Sequence, residues 1–335
     1  MKRGEPSRRP QPALPTITLL FAAGIVATTP GMAQNVLETR AGAVRIWGSS
    51  ARSVVLAVGE GRIARAGVAA EGGHVVAGED LAGGDLFFVS QDGTGVEELP
   101  VPPKAGAVQR ARPVLLTRYD RLDGAVWLEG DAERGFAVVA AAWNGTSWEE
   151  VETVAPPTGR PQLAPAAAVL ADGTWLAVWA GYDGEDDEIF WSRRRHGVWS
   201  PARRVHGDNR VPDLLPSLIA TADGDELLAA WSFYDGNDYR VRTARFCEDG
   251  WRVEATLDGL GAGRTRWQKS GGRAFVVYRS VTPEAWTAVE LAPDGSALHS
   301  ARVETADERP PLVQAGSGHG PPRLLWPYGS SGPRR

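Results

Sequence analysis

The chain has 335 residues, a formal net charge of −5 and a single cysteine, Cys247. One cysteine cannot form an intramolecular disulfide, so the fold must be held together by its apolar core. A chain of this length buries about three quarters of its surface on folding, which is enough for such a core. The acidic balance argues against a nucleic-acid-binding protein, because such proteins need clustered positive charge.

The N-terminal segment has the composition of a secretory signal. Its basic residues are Lys2, Arg3, Arg8 and Arg9. They precede an apolar run at 16–29 and a small-residue site that ends at Ala33, which predicts export with cleavage after Ala33. The run is too short for a stable transmembrane helix, and no later stretch replaces it. We therefore expect a signal peptide at 1–33, no membrane span, and a secreted or periplasmic mature chain at 34–335. Removing the four basic residues and Glu5 leaves that chain with a charge near −8.

A repeat of about 50 residues covers most of the mature chain. Three segments begin at Pro113, Pro165 and Pro216, and two tryptophan series keep the same period. The first series, with a spacing of 52 residues, is Trp127, Trp179 and Trp231. The second, with spacings of 51 and 52, is Trp148, Trp199 and Trp251. Weaker markers at Val76, Tyr278 and Trp326 extend the series to six units.

Each unit consists of four short β-rich runs separated by turn signals such as Asp-Gly, and no helical period interrupts them. Four-stranded units repeated in this way predict an all-β, six-bladed β-propeller of antiparallel blades. The approximate blades are 62–112, 113–164, 165–215, 216–263, 264–310 and 311–335. The last one is short, and two further strands, Ala43–Trp47 and Ser53–Val58, precede the repeats. We expect residues 43–60 to complete the sixth blade and cover its edges.

An aspartate follows each inner-strand marker by four residues, in a loop on the face where propellers usually meet ligands. Tyrosines stand beside two of these aspartates and offer hydrogen bonds to sugar hydroxyls. The candidate ligand-binding residues are therefore Tyr182, Asp183, Tyr234 and Asp235. Nearby carboxylates could bind calcium, and we expect no other cofactor. Its candidate ligands are Asp183, Asp186, Asp187, Asp235 and Asp238. The alternative is that each aspartate only makes a tight turn through its own side chain.

Arginines precede several predicted inner strands. They are Arg62, Arg112, Arg210, Arg264 and Arg309. If these connections converge near the axis, Arg112, Arg210 and Arg264 would form a cationic ring suited to a carboxylate or phosphate. Ordinary solvated arginines or ion pairs between blades are the alternative. The five histidines, His206 among them, show no metal-ligand spacing, so we expect no metal role for them.

The stretches 144–154, 186–205 and 247–257 resemble the Asp-box (BNR) repeats of sialidase-like propellers. Glycine and tryptophan of that repeat persist as Gly145 and Trp148, Gly197 and Trp199, and Gly250 and Trp251. The leading Ser-x-Asp is largely lost. The resemblance implies a propeller whose repeat tryptophans pack between blades. Catalytic sialidases use an arginine triad, a Tyr–Glu pair and an aspartate. The nearest match to their first arginine motif, around Arg45, lacks its proline, so we predict no catalytic residue.

These features favour a secreted, monomeric, non-catalytic binding propeller. It would recognise a carbohydrate or an extracellular protein on the face that carries the aspartate and tyrosine loops. One alternative is a sialidase-type glycoside hydrolase. The other is a structural scaffold without a small ligand.

Overall fold

The computed structural model describes residues 36–326, apart from 41, 48–52, 71, 93, 105, 132, 159–161, 208–209, 222–223, 249, 258–261, 293–295 and 319. The predicted signal peptide, residues 1–33, lies outside the described residues. Within them the chain forms strands and loops and no helix, which confirms the all-β class. Accordingly, the described part of the chain contains no helix with the length and apolarity needed to cross a membrane.

The strands form seven antiparallel sheets that follow one another along the chain. The N-terminal sheet contains β1 (Val36–Arg40), β2 (Ala43–Trp47) and β3 (Ser53–Ala57). Blade 1 contains β4 (Arg62–Ala70), β5 (Gly73–Asp80), β6 (Asp85–Gln91) and β7 (Val96–Leu99). Blade 2 contains β8 (Gln109–Arg118), β9 (Arg121–Asp131), β10 (Gly135–Ala142) and β11 (Glu152–Ala155).

The outer strand of blade 3 is split into two short pieces that both pair with its third strand. Blade 3 contains β12 (Gln162–Val169), β13 (Trp175–Tyr182), β14 (Asp187–Arg195), β15 (Val198–Trp199) and β16 (Arg203–Arg204). Blade 4 contains β17 (Asp213–Ala220), β18 (Leu227–Tyr234), β19 (Tyr239–Cys247) and β20 (Gly250–Leu257). Blade 5 contains β21 (Gly263–Ser270), β22 (Arg273–Val281), β23 (Glu284–Leu291) and β24 (Ala297–Glu304). The C-terminal sheet contains β25 (Leu312–Gln314) and β26 (Arg323–Leu325).

The sheets are arranged as a β-propeller, because each blade packs both of its faces against neighbouring sheets. Successive side chains of a strand point to opposite faces. In β18, Leu227 and Trp231 join the apolar cluster shared with blade 3, whereas Leu228 and Ala230 join the one shared with blade 5. Each of the six apolar clusters combines two consecutive sheets, from the N-terminal sheet with blade 1 to blade 5 with the C-terminal sheet.

The prediction of six blades is wrong, because the described residues form five. The strands expected at Ala43–Trp47 and Ser53–Val58 form, but they do not complete the last blade. An unpredicted strand, β1, pairs with β2, so β2 is already hydrogen-bonded on both sides within the N-terminal sheet. That sheet buries Leu37 and Ile46 against blade 1. Among the described residues, no strand pairing joins the N-terminal sheet to the C-terminal one.

The first strand of each blade carries a bulge, where its ladder with the second strand skips. In blades 2 to 5 a residue with positive φ stands at the bulge. These residues are Arg112 (56°), Ala164 (46°), Leu215 (54°) and Arg264 (54°). In blades 2, 3 and 4 the repeat proline follows directly, and proline has no N–H for the ladder. The proline period therefore marks these bulges. We call the side on which these first strands begin the upper face. It also carries the loops between second and third strands and the connections between blades.

Candidate functional site

The aspartates of the upper-face loops build the turns that they begin. One carboxylate oxygen accepts hydrogen bonds from the backbone N–H groups two and three residues further along in Asp80, Asp131, Asp183 and Asp235. This is the arrangement that the turn interpretation expects. The pKa of Asp235 is lowered to about 2, first by a hydrogen bond from Arg240 and then by these N–H groups.

The second carboxylate oxygen is also engaged in two of these aspartates. Asp183 Oδ2 lies 2.5 Å from Arg204 Nη2, and Asp235 pairs with Arg240. Among the predicted calcium ligands, the described residues bring only Asp183 and Asp186 into a group able to hold a cation. No such group of described residues contains Asp187, Asp235 or Asp238.

A buried cluster lies where blade 3 meets blade 4. It consists of Glu188 in β14, His206 in the connection from β16 to β17, and Asp213 at the start of β17. The side chains of Glu188 and Asp213 are 0% exposed and that of His206 is 12% exposed. One ligand atom of each residue lies within 4.8 Å of those of the other two. His206 Nε2 is 3.9 Å from Glu188 Oε2 and is hydrogen-bonded to Asp213 Oδ2.

The electrostatics of this cluster disfavour a charge on Glu188. Burial, followed by the charge of Asp213, raises the pKa of Glu188 to about 7. Neither of its oxygens has a hydrogen-bond partner among the described residues. Burial alone would lower the pKa of His206, but the hydrogen bond and charge of Asp213 raise it above its ordinary value. The imidazole ring is stacked on Trp231, with ring centres 5.7 Å apart and planes 9° apart.

Half-buried tyrosines lie beside this cluster on the upper face. Tyr234 ends β18 and Tyr239 begins β19, with ring centres 5.4 Å apart. Burial, followed by the charges of Asp187 and Tyr234, raises the pKa of Tyr239, so Asp187 of blade 3 lies near this pair. Burial and the charge of Asp183 raise the pKa of Asp187 in turn. Tyr182 hydroxyl donates to the carbonyl of Gly184, within its own loop.

The three arginines of the predicted ring contact different carboxylates. The backbone N–H of Arg112 donates to Glu79 Oε1 at 2.8 Å. Burial, followed by the charge of Arg65, lowers the pKa of the Arg112 guanidinium. Arg210 lies 3.8 Å from Glu185, and Arg264 lies 3.4 Å from Glu308. Arg210 and Arg264 therefore occupy the exposed, ion-paired positions of the alternative interpretation. A ligand-binding role for Arg112, Arg210 and Arg264 stays a prediction.

A cavity of about 330 Å³ lies on the opposite, lower face, between blades 1 and 2. Its lining includes His74, Asp92, Glu97 and Trp143. None of the predicted site residues lies in this cavity.

Sequence reasoning missed Glu188, His206, Asp213 and Tyr239. Glu188, His206 and Asp213 stand on three different elements and share no motif spacing, so only the packing of blade 3 against blade 4 brings them together. One sequence signal could have singled out Glu188: the charge at its third-strand position is reversed in the next repeat. The equivalent residue there is Arg240, which pairs with Phe233 of β18 as Glu188 pairs with Gly181 of β13.

The sheets and their packing define the chain as a β-propeller. No family model and no curated protein matches it. One similar solved structure is a candidate 6-phosphogluconolactonase from Bacteroides fragilis, at 12% identity and a TM-score of 0.50, covering 81% of this chain and 79% of that one. An ulvan lyase matches at 8% identity and a TM-score of 0.49, over 74% and 72%. An endo-arabinase from Bacteroides thetaiotaomicron matches at 13% identity and a TM-score of 0.41, over 70% and 90%.

At these identities the likeness concerns the fold alone. The β-propeller fold implied by the Asp-box resemblance is thus confirmed. Membership of the sialidase-like group stays a prediction.

Proposed function

We propose that this chain is an exported, monomeric binding propeller that recognises a carbohydrate on the upper face, where blade 3 meets blade 4. The observation that carries this proposal is the half-buried pair Tyr234 and Tyr239 on the upper face, whose ring centres lie 5.4 Å apart and which is within reach of the charge of Asp187. Tyrosine rings pack against the C–H face of a sugar, and carboxylates accept hydrogen bonds from its hydroxyls.

The rigidity of the surrounding loops supports binding. Asp183 and Asp235 each cap their own loop with two backbone hydrogen bonds, and each is held by an arginine. Loops that are ordered before the ligand arrives lose less conformational entropy on binding. The repeated aspartates therefore serve the site by holding the tyrosines in place.

Binding without hydrolysis is favoured by the position of Glu188. Its pKa near 7 would suit a general acid, but its side chain is 0% exposed and does not reach the upper surface. Export is supported by the basic and apolar N-terminal segment. Sequencing the N-terminus of the exported protein should place its first residue at Gln34.

The test compares three tyrosine variants in a calorimetric titration with neutral and acidic oligosaccharides. Tyr234→Ala and Tyr239→Ala should weaken the best sugar about tenfold, equivalent to about 1.4 kcal/mol. Tyr119→Ala should bind as the wild type does, because Tyr119 is exposed on the lower face. Equal binding by all three variants contradicts the proposal. So does binding that survives the two upper-face changes but is lost in His74→Ala, which alters the lower cavity.

A further inference from the structure

The buried cluster of Glu188, His206 and Asp213 contains one carboxylate, that of Glu188, whose oxygens have no donor among the described residues. Two carboxylates, those of Glu188 and Asp213, face one imidazole. A buried carboxylate without a partner is strongly disfavoured, so this arrangement requires either bound protons or a bound cation.

His206 is oriented as metal-ligating histidines are. Its Nδ1 lies 2.6 Å from the carbonyl oxygen of Gly207. A carbonyl only accepts, so Nδ1 carries a proton. The hydrogen bond of Nε2 to Asp213 Oδ2 places a second proton on the metal-free ring, and a bound metal ion would replace that proton at Nε2. Metal-binding histidines commonly donate their second ring N–H to a carbonyl in this way, which fixes the tautomer. The stack on Trp231 fixes the ring plane as well.

We propose that Glu188, His206 and Asp213 bind one divalent transition-metal ion, with zinc as the representative ion. The ligands are His206 Nε2 and one oxygen of each carboxylate. Zinc accepts imidazole nitrogen and carboxylate oxygen at about 2.0–2.2 Å, and three protein ligands leave a fourth position for water. Ligand atoms that already lie within 4.8 Å of one another need only small side-chain rotations to close around such an ion.

The imidazole argues for a transition metal over calcium or magnesium, which prefer oxygen ligands. An all-oxygen group, Asp183, Asp186 and Glu188, borders the cluster. Asp183, however, already accepts two backbone N–H groups and pairs with Arg204. The ion is therefore assigned to the histidine side of Glu188. There it would join the third strand of blade 3 to the first strand of blade 4.

The test titrates the purified full-length protein, first stripped with a chelator, with Zn²⁺ in a calorimeter. Bound metal is counted by mass spectrometry after dialysis. The wild type should hold about one zinc per chain. Glu188→Gln should bind zinc at least about 100-fold more weakly, because outer-shell partners alone change metal affinity by about 10- to 100-fold. Glu185→Gln is the matched control. It removes a carboxylate in the neighbouring loop whose side chain is 63% exposed, and zinc affinity should be unchanged.

Glu188→Gln keeps the side-chain shape and removes a disfavoured charge, so its metal-free melting temperature should equal or exceed that of the wild type. If it fails to fold, His206→Gln takes its place, with folding checked by circular dichroism. The proposal is overturned if the wild type binds no stoichiometric zinc or if the folded variant binds it equally well. Tighter binding of Ca²⁺ than of Zn²⁺ also overturns it, because that result would assign the ion to the all-oxygen group. No sugar is present in this titration, so its outcome is independent of the proposed carbohydrate binding.

Discussion

Successive blades are joined at the same backbone position by different side chains. Two residues before the inner-strand bulge, blades 2, 3 and 4 carry the buried residues Arg110, Gln162 and Asp213. Arg110 and Gln162 both donate to backbone carbonyls of the preceding connection, at 2.8 and 2.6 Å. Asp213 also reaches the preceding connection, but it meets the side chain of His206 there.

This difference shows how one scaffold position changes its chemistry. Carbonyls of the connection are acceptors, so the side-chain N–H groups of Arg110 and Gln162 satisfy them directly. An acceptor at the same position needs a donor or a cation from elsewhere. His206 supplies one donor at most, while Glu188 adds a second carboxylate. The junction of blades 3 and 4 is therefore the one among these three where two carboxylates meet, and it is where we place the proposed cation.

The largest effect is expected from breaking the first junction with Arg110→Ala. The Arg110 side chain is 0% exposed, and its Nε lies 2.6 Å from Glu129 Oε2. Its removal leaves buried carbonyls and a buried carboxylate without their charged donor, which costs about 3–5 kcal/mol. Urea denaturation at pH 7 measures this loss. Arg134→Ala changes an exposed residue of the turn between β9 and β10, so it should cost less than about 0.5 kcal/mol. Equal losses in the two variants would contradict a joining role for Arg110.

Gln162→Glu would replace the amide donor of the second junction by a carboxyl group, as Asp213 provides in the third. The new carboxyl faces the carbonyl of Pro156, so it must either lose that hydrogen bond or take up a proton. Protonation limits the cost at pH 7 to about 3.7 kcal/mol, from an ordinary glutamic acid pKa of about 4.3. We expect a loss of about 2–3 kcal/mol by urea denaturation, which becomes smaller towards pH 5. A variant as stable as the wild type at pH 7 would show that acceptors need no counterpart at this position.

Much of the blade architecture was predictable because it depends on local patterns. Repeat tryptophans, prolines and Asp-Gly turns predicted the four-stranded units. The strand Ala43–Trp47, ahead of the repeats, was also predicted at its observed bounds. Closure of the ring was not predictable in this way. Pairing between the two ends of a chain depends on which edge meets which, and the unpredicted strand β1 takes the edge of β2.

The candidate site was predictable only in part, for a related reason. Asp183 and Asp186 were singled out because the repeat copies the turn that holds them, and a role in binding for them stays a prediction. Glu188, His206 and Asp213 do not recur from blade to blade, and they meet only through the packing of two sheets. The repeat pattern that identified the fold therefore carried no information about the residues that differ from it.

A third buried carboxylate, Glu290 in β23, shows how hydrogen-bond donors change the pKa of such a group. Arg273 Nε donates to Glu290 Oε1 at 2.7 Å, and His299 Nδ1 lies 3.0 Å from Oε2. The hydrogen bond from Arg273, working against burial, is the main cause that lowers the pKa of Glu290 below its ordinary value of 4.5. The pKa of Glu188, which has no such donor among the described residues, is instead raised to about 7.

The smallest expected effect is the pH-dependent contribution of the Glu290 carboxylate to the free energy of unfolding. Because its pKa is lower in the folded than in the unfolded chain, the unfolded chain takes up the proton first as the pH falls. The stabilisation is complete above pH 4.5 and is lost as the pH falls through the folded-state pKa. Wild type and Glu290→Gln should differ by about 1 kcal/mol at pH 7, as expected for one hydrogen bond, and by less at pH 3. Urea denaturation at both pH values measures this. A difference that grows towards acid pH would mean that Glu290 is held protonated in the fold, as its counterpart Glu188 would be without a cation.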